Sequence, residues 1–322
     1  MIHKRSKLQG ISCLVTGGAG FIGSHVAEQL VQAGARVRIL DNLSSGKEQN
    51  LAFIRNDVEF THGDIRNEEL LMRLLSGVEV VFHLAAIPSI IFSIKHPVES
   101  LFVNFHGTVQ LASAAVRAGV RRLIFSSSCA VYGQNASGAI TENYFPQPSS
   151  PYATAKLACE HILLNFYHLY GLETVSLRYF NVFGPRQDPT SPYGAVIPKF
   201  IYALLQGFPP VIYGDGYQTR DFVSVEQVAW TNLQSVCIPS GTIVNVGRGC
   251  SMNLWELLRI LQDIVGVHTN PQIAPARPGE VRESQSDPTY YHAMFGPYPG
   301  PEMVEALAQT VTWYRENFCR LH

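Results

Sequence analysis

The sequence predicts an α/β fold: a doubly wound parallel sheet with a smaller, interleaved C-terminal α/β region. Three observations carry this expectation. Short β-branched runs alternate with longer helical stretches from Ser12 to Asn181. A glycine cluster follows the first strand and opens the first helix. The alternation then breaks, and one apolar strand reappears late in the chain.

Predicted strands cover residues 12–16, 36–40, 58–61, 78–83, 123–127 and 174–177, and predicted helices cover 22–33, 68–75, 98–118 and 152–170. After Asn181, Gly184-Pro185, Pro189, Pro192, Pro209-Pro210, Gly214 and Gly216 mark a less regular region. The apolar run 243–246 reads as a strand returning to the sheet, so the two regions interleave. The expected division is 1–180 with 222–247 as one domain, and 181–221 with 248–322 as the other. The last predicted helix, 302–314, is amphipathic.

Composition narrows the function classes. The 322 residues are 46% apolar and 15% charged, which excludes a disordered or fibrous chain. Formal net charge is −1, and no block of like charges makes a nucleic-acid footprint. The apolar run after the basic start is too short for a signal sequence, and no stretch approaches the roughly 20 apolar residues of a membrane-spanning helix. A soluble, cytoplasmic protein without membrane or nucleic-acid partners is expected. The 6 cysteines are scattered, without a Cys-x-x-Cys pair, and read as reduced core residues. The histidines form no ligand cluster, so no metal is expected.

Thr16-Gly17-Gly18-Ala19-Gly20-Phe21-Ile22-Gly23 sits between a strand and a helix. In that context glycines bring backbone N–H groups against a pyrophosphate at a helix N-terminus, as in a Rossmann-type fold. The next strand ends in Asp41, placed to accept hydrogen bonds from adenosine ribose hydroxyls and to repel a 2′-phosphate, which favours NAD over NADP. A tight glycine turn followed by an unrelated exposed aspartate is the plainer alternative. Asp64 closes the third strand in reach of an adenine amino group, or is an ordinary turn acid.

Tyr152 and Lys156 are spaced i, i+4, one turn apart on one helix face. The pair alone proves little. Ser126-Ser127-Ser128 ends the strand before it, and ligands of wound sheets bind at the carboxyl ends of strands.

With these motifs the sequence resembles the extended short-chain dehydrogenase/reductases of the nucleotide-sugar epimerase group, in particular the bacterial NAD-dependent UDP-hexose 4-epimerases that accept N-acetylated sugars. The likeness runs through Thr16–His25, Asp41-Asn42-Leu43, Gly63-Asp64-Ile65, His83-Leu84-Ala85-Ala86, Val103-Asn104, Ser126–Gly133, Tyr152–Lys156, Arg178–Gln187, Gly214–Val223 and Arg277–Ser284. It implies catalytic roles for Ser128, Tyr152 and Lys156. Cofactor-binding positions implied are Gly17, Gly20, Phe21, Ile22, Gly23, Asp41, Asn42, Ser44, Gly46, Asp64, Ile65, Leu84, Ala85, Ala86, Asn104, Ser126, Tyr152, Lys156 and Tyr179. In this scheme Tyr152 takes the sugar 4-OH proton while C4 gives hydride to NAD⁺, and Ser128 aligns O4. A phenol with a pKa about 10 needs about three units of depression to serve near pH 7, and Lys156 with the oxidised nicotinamide is expected to supply it against desolvation.

The resemblance also implies a UDP-sugar substrate, with Ser89, Ser128 and Tyr152 toward the hexose and Asn181, Arg220 and Arg277 on the diphosphate. Ala195 and Val196 would line the uracil site, with Tyr213 stacked on the base. Cys129 and Ala130 stand where related dehydratases and decarboxylases carry acidic residues, so simple epimerisation is favoured. Asn181 stands where UDP-glucuronate epimerases usually carry threonine. Ser284 stands where epimerases limited to glucose and galactose carry tyrosine, leaving volume for an acetamido group; packing is the other explanation for its small size. A UDP-glucuronate 4-epimerase and a non-catalytic NAD-binding regulator remain the alternatives. Helices 98–118 and 152–170 hold more apolar positions than one buried stripe requires, which fits a homodimer through a two-fold helical contact, or burial within one chain.

Overall fold

The computed structural model of the protein describes residues 8–134, 138–190, 195–276 and 281–318. Its first elements are β1 (Ser12–Thr16), α1 (Phe21–Gln32), β2 (Arg36–Asp41), β3 (Val58–His62), α2 (Glu68–Leu75), β4 (Val80–His83), α3 (Ile90–Lys95) and α4 (Pro97–Leu101). There follow α5 (Gly107–Arg117), β5 (Arg122–Ser128), β6 (Ala139–Ile140), α6 (Pro151–Tyr170), β7 (Glu173–Tyr179) and β8 (Asn181–Phe183). Then come α7 (Val196–Leu205), β9 (Val211–Tyr213), β10 (Thr219–Ser224), α8 (Val225–Gln234), β11 (Thr242–Val246) and β12 (Ser251–Asn253). The last are α9 (Leu254–Val265), β13 (Gln272–Ala274), β14 (Gln285–Ser286), α10 (Thr289–Phe295) and α11 (Met303–Phe318).

Seven strands form one sheet in the order β11-β7-β5-β4-β1-β2-β3, and the pairings from β3 across to β5 are all parallel. The predicted α/β fold is therefore present, with the late strand back in the sheet. Strand order reverses between β1 and β4, because β1 runs on to β2 on one side while β4 pairs on the other. That switch point is where the loops after two neighbouring strands part and leave room for a ligand.

The chain divides into two compact units. One takes in the chain up to Val131, Pro148–Arg178 and Ala229–Val244; the other takes in Tyr132–Gln147, Tyr179–Val228 and the chain from Asn245 onward. In the first unit, Leu14, Val81, Leu111, Leu123 and Phe125 join one apolar cluster with Leu163 of α6. In the second, Phe200, Ile201, Leu258, Leu261 and Leu307 form the core, around which lie a three-stranded sheet, β12-β10-β8, and two pairs, β13-β9 and β14-β6.

Local chemistry sets several boundaries. Ser150 caps α6 by accepting from Ala153 N–H at 3.2 Å, Pro151 occupies its first turn, and Gly171 ends it in the left-handed region at φ 74°. Asn67 caps α2 by accepting from Leu70 N–H at 3.0 Å. β4 begins two residues later than predicted, because Val78 N–H still bonds Leu75 O in the turn that closes α2. The single helix predicted over 98–118 is interrupted: Phe102–His106 is wound more loosely, as a π-helical turn between α4 and α5. Among the described residues, no helix is long and apolar enough to cross a membrane.

Candidate active site

The glycine loop after β1 is held from below and behind. Gly17 N–H bonds Leu40 O at 2.8 Å, and Gly20 N–H bonds Gly17 O at 3.1 Å. Gly17 has φ +70°, and a Cβ there would lie 2.7 Å from Ala85 N. A Cβ on Gly23 would strike the Gly17 carbonyl. Gly20 gives α1 no side-chain cap, and its first turn, with Phe21, Ile22 and Gly23, carries no acid, so the positive end of the helix dipole is left for an anion.

Asp41, buried at the end of β2, accepts from Ala19 N–H at 2.9 Å with one oxygen and from Leu43 N–H at 2.8 Å with the other. Each oxygen keeps a second lone pair for a hydroxyl donor. Gly46 lies against this carboxylate, since a Cβ on it would meet both oxygens at 2.9 Å. Asn42 folds the next turn by accepting from Ser44 N–H at 3.1 Å and donates to Asp64 at 3.0 Å. Glycines without room for side chains, an uncapped helix start and a carboxylate with free lone pairs fit the pyrophosphate and ribose of a dinucleotide.

Asp64 has a partner the sequence reading missed. Arg66 forks its carboxylate, with Nε and Nη2 each at 2.8 Å, and holds its pKa down at about 2. Nothing in an i, i+2 Asp-Arg pair flags such a fork in advance. Ile65, between them, is buried in the apolar cluster of the first unit.

After β4, Leu84 N–H bonds Thr16 O at 3.0 Å, and Ala85 backs onto Gly17, so the Leu84-Ala85-Ala86 loop adjoins the glycine turn. Asn104 sits in the π-helical turn. Its side chain accepts from Ile87 N–H at 2.7 Å and donates to Ile87 O at 3.1 Å, which pins that loop. Beneath it, His83 is buried between Thr16 Oγ1 at 2.7 Å and Thr108 Oγ1 at 2.9 Å. Burial, followed by the nearby Lys156 charge, pushes its pKa down to about 3, so this imidazole is neutral. Ser89 caps α3 by accepting from Phe92 N–H at 3.1 Å.

Tyr152 stands in the first turn of α6 and Lys156 one turn on. Lys156 Nζ donates to Ser126 O at 2.7 Å and lies 4.8 Å from the Phe125 ring centre and 5.8 Å from that of Tyr152. Ser128, at the end of β5, hydrogen-bonds Tyr152 and accepts from Ala130 N–H at 3.2 Å. The sequence thus brings a hydroxyl, a phenol and an ammonium to the carboxyl end of a central strand.

The protein's own groups set the starting point for the phenol that Lys156 and an oxidised nicotinamide are expected to acidify. Burial pushes the pKa of Tyr152 up to about 12, against a lowering hydrogen bond from Ser128. Burial also pulls Lys156 down to about 8, against the raising charges of Cys159 and Glu160. The main cause for both groups is desolvation. Cys129 and Ala130, half-buried, follow Ser128, and no carboxylate stands at those two positions.

In the second unit, Asn181 opens β8 and donates to Asp221 O at 3.4 Å, in register beside β10, which carries Arg220. Asp221 is fully buried and accepts from Arg248 N–H, Gly249 N–H and both the N–H and hydroxyl of Ser286 at 2.5–3.0 Å. That knot fixes β10 against the segment that holds buried Ser284. Ala195 precedes α7 as its N-cap and Val196 begins it; Tyr213 ends β9, and Tyr179, buried, ends β7. Arg277 lies outside the described residues. Among the described residues, no group of three or more His, Cys, Asp or Glu is placed to hold a metal ion. The described cysteines are free thiols; burial pushes Cys13 up to about 12 and Cys159 to about 11, whereas Cys237 and Cys250 are exposed, against the expectation of core residues.

The parallel sheet, glycine turn, buried acid at the end of β2 and Ser-Tyr-Lys cluster define a dinucleotide-dependent enzyme of the extended short-chain dehydrogenase/reductase class. Residues 13–247 match the model of the NAD dependent epimerase/dehydratase family, and the chain belongs to that family. A UDP-glucose 4-epimerase of Mycolicibacterium smegmatis is 38% identical over 309 residues, covering 94% of this chain and 98% of that enzyme. A UDP-N-acetylglucosamine 4-epimerase from Methanobrevibacter ruminantium, solved with UDP-N-acetylmuramic acid, superposes with a TM-score of 0.93 at 38% identity, over 96% of this chain and 100% of that one. The UDP-glucose 4-epimerase of Thermus thermophilus, solved with NAD, gives 0.87 at 36% identity, over 95% and 100% of the two chains. Family, NAD dependence and the isomerase class of these relatives agree with the expectations drawn from the sequence.

Proposed function

We propose that the protein is a UDP-sugar 4-epimerase that interconverts UDP-GlcNAc with UDP-GalNAc, and UDP-Glc with UDP-Gal, through a transient 4-keto sugar. The observation that carries this reading is the Ser128–Tyr152–Lys156 cluster followed by Cys129 and Ala130, a centre equipped to oxidise and reduce C4 with no added acid or base for elimination or decarboxylation. When bound, NAD⁺ would supply the hydride acceptor and donor for C4, and its positive charge would add to that of Lys156 beside the phenol.

Tyr152 then accepts the O4 proton and later gives it back. Its position in the first turn of α6 adds the positive helix end to the stabilisation of its anion. Ser128 holds O4 in line by hydrogen bonding, and Lys156, fixed on Ser126 O, keeps its charge close to the ring. The keto sugar turns over between the two transfers, so the hydride returns to the opposite face of C4, the proton returns to O4, and no net oxidation results.

The glycine-loop unit is proposed to hold NAD, and the second unit to hold the UDP moiety through Asn181, Arg220 and Arg277, with Ala195, Val196 and Tyr213 at the base. Acceptance of the acetamido group is read from the small side chain of Ser284. The active form is proposed to be a homodimer.

A panel of the four neutral UDP-sugars and UDP-glucuronate tests the assignment. The parent protein should equilibrate both neutral pairs without accumulating NADH, and Tyr152→Phe should lower kcat about 10²–10⁴-fold while NAD stays bound. Turnover confined to UDP-glucuronate, or net NADH formation, would replace this reading.

A further inference from the structure

Behind the Tyr152–Lys156 turn lies a buried polar cluster that the proposed chemistry leaves without a task. Ser127 Oγ donates to Glu160 Oε1 at 2.5 Å. Arg178 forks the same carboxylate, Nε to Oε1 at 2.9 Å and Nη2 to Oε2 at 2.7 Å. Exposure of Ser127, Glu160 and Arg178 is 3%, 1% and 3%. Burying an ion pair costs desolvation that its attraction barely offsets, so net stability is a weak reason for this pair.

Its location suggests a better one. Ser127 lies on β5 between Ser126, whose carbonyl accepts Lys156 Nζ, and Ser128, whose hydroxyl bonds Tyr152. Glu160 is one helical turn beyond Lys156 and two beyond Tyr152, on the same face of α6. Arg178 stands on β7, the sheet neighbour of β5. One carboxylate therefore ties two adjacent strands to the helix that carries the base. Its hydroxyl donor comes from the residue that separates the two catalytic contacts.

We propose that Ser127, Glu160 and Arg178 form a positioning clamp that sets the separation between the end of β5 and the first turns of α6, and so keeps Ser128, Tyr152 and Lys156 in reacting register; the proposal rests on the reading of this centre as a 4-epimerase site. The two bonds from Arg178 stop the carboxylate from rotating, and the bond from Ser127 transmits that fixed position to the strand. Without the hydroxyl, β5 and α6 still pack through apolar side chains, but only the flanking contacts set their spacing. A misplacement of about 1 Å in a reacting group costs on the order of 10²-fold in rate.

The test uses the full chain with its bound dinucleotide and the neutral UDP-sugar panel. Ser127→Ala should lower kcat about ten-fold or more, with KM and bound NAD content within about two-fold of the parent and the melting temperature within a few degrees. Ser127→Thr, which keeps the hydroxyl, should recover most of that loss. A Ser127→Ala chain with kcat within about two-fold of the parent overturns the clamp. So does a parallel fall in kcat, NAD content and melting temperature, or a threonine variant no better than alanine. A parent inactive on every UDP-sugar overturns the epimerase reading, and the clamp with it.

Discussion

At the residue scale, Tyr152 and Lys156 show what burial does to the proposed catalytic pair. With a phenol at about 12 and an ammonium at about 8, the chain by itself keeps Tyr152 protonated at neutral pH and Lys156 charged at a cost. Between pH 8 and 10.5 the unfolded chain holds a proton on this lysine that the folded chain lacks. Stability therefore rises with pH across that window, and at pH 7 the buried ammonium is a burden on the fold. Lys156→Met, similar in length and without charge, should raise resistance to urea at pH 7, by on the order of 1 kcal/mol or more, while abolishing turnover. Urea unfolding of parent and variant with matched NAD content checks this, and a variant less stable than the parent would mean that the Ser126 O bond outweighs desolvation. The proposed chemistry thus draws on an ion that the fold would be better off without.

At the element scale, β1, β4 and α5 are joined by Thr16, His83 and Thr108, a hydrogen-bonded chain around an imidazole that burial keeps neutral. The folded pKa of His83 is about 3 against 6.5 for the free side chain, so an unfolded chain binds a proton that the native one refuses between those values. The stabilising contribution is fully present above pH 6.5 and is lost as pH falls toward 3. His83→Gln should flatten the stability–pH curve over that interval, measured by denaturant unfolding at several pH values; an unchanged slope would assign acid sensitivity to the carboxylates instead. The strands and the glycine turn were legible in the sequence because a run such as Ser12–Thr16, fully buried, and the glycines after it are local signals. The π-helical turn was not. Its Asn104 carbonyl accepts from the Thr108 hydroxyl at 2.6 Å and the Cys159 thiol at 3.3 Å, while its side chain is bound to Ile87. Ile87 and Cys159 lie 17 and 55 residues from Asn104, and hydrophobic period cannot report partners that distant. The same reason hides the Ser127–Glu160–Arg178 cluster, whereas Tyr152 and Lys156 stand out by an i, i+4 spacing on one helix.

At the scale of the whole molecule, one surface of the first unit is unsuited to water. Ile94 of α3 and Val98 of α4 are 60% and 80% exposed, and Ile90 and Phe102, on the same short helical stretch, are about half exposed. Single exposed apolar residues are ordinary, but four within thirteen residues make a patch of the kind that marks an interface. α3 and α4 both pack on α6, the helix that carries Tyr152 and Lys156, so the patch lies on the outer side of the elements that support the catalytic turn. A second copy of the chain is the simplest cover, because a two-fold operation presents the same patch to itself. It would also brace α6 from outside. The double substitution Ile94→Glu and Val98→Glu should therefore convert a dimer to a monomer, read by light scattering after gel filtration at micromolar concentration. Loss of turnover should accompany dissociation, with NAD still bound at high cofactor concentration, because the glycine loop and Asp41 lie on other elements. A parent protein that runs as a monomer would reject the dimer outright, and a fully active monomeric variant would show that α6 holds its catalytic turn without outside support.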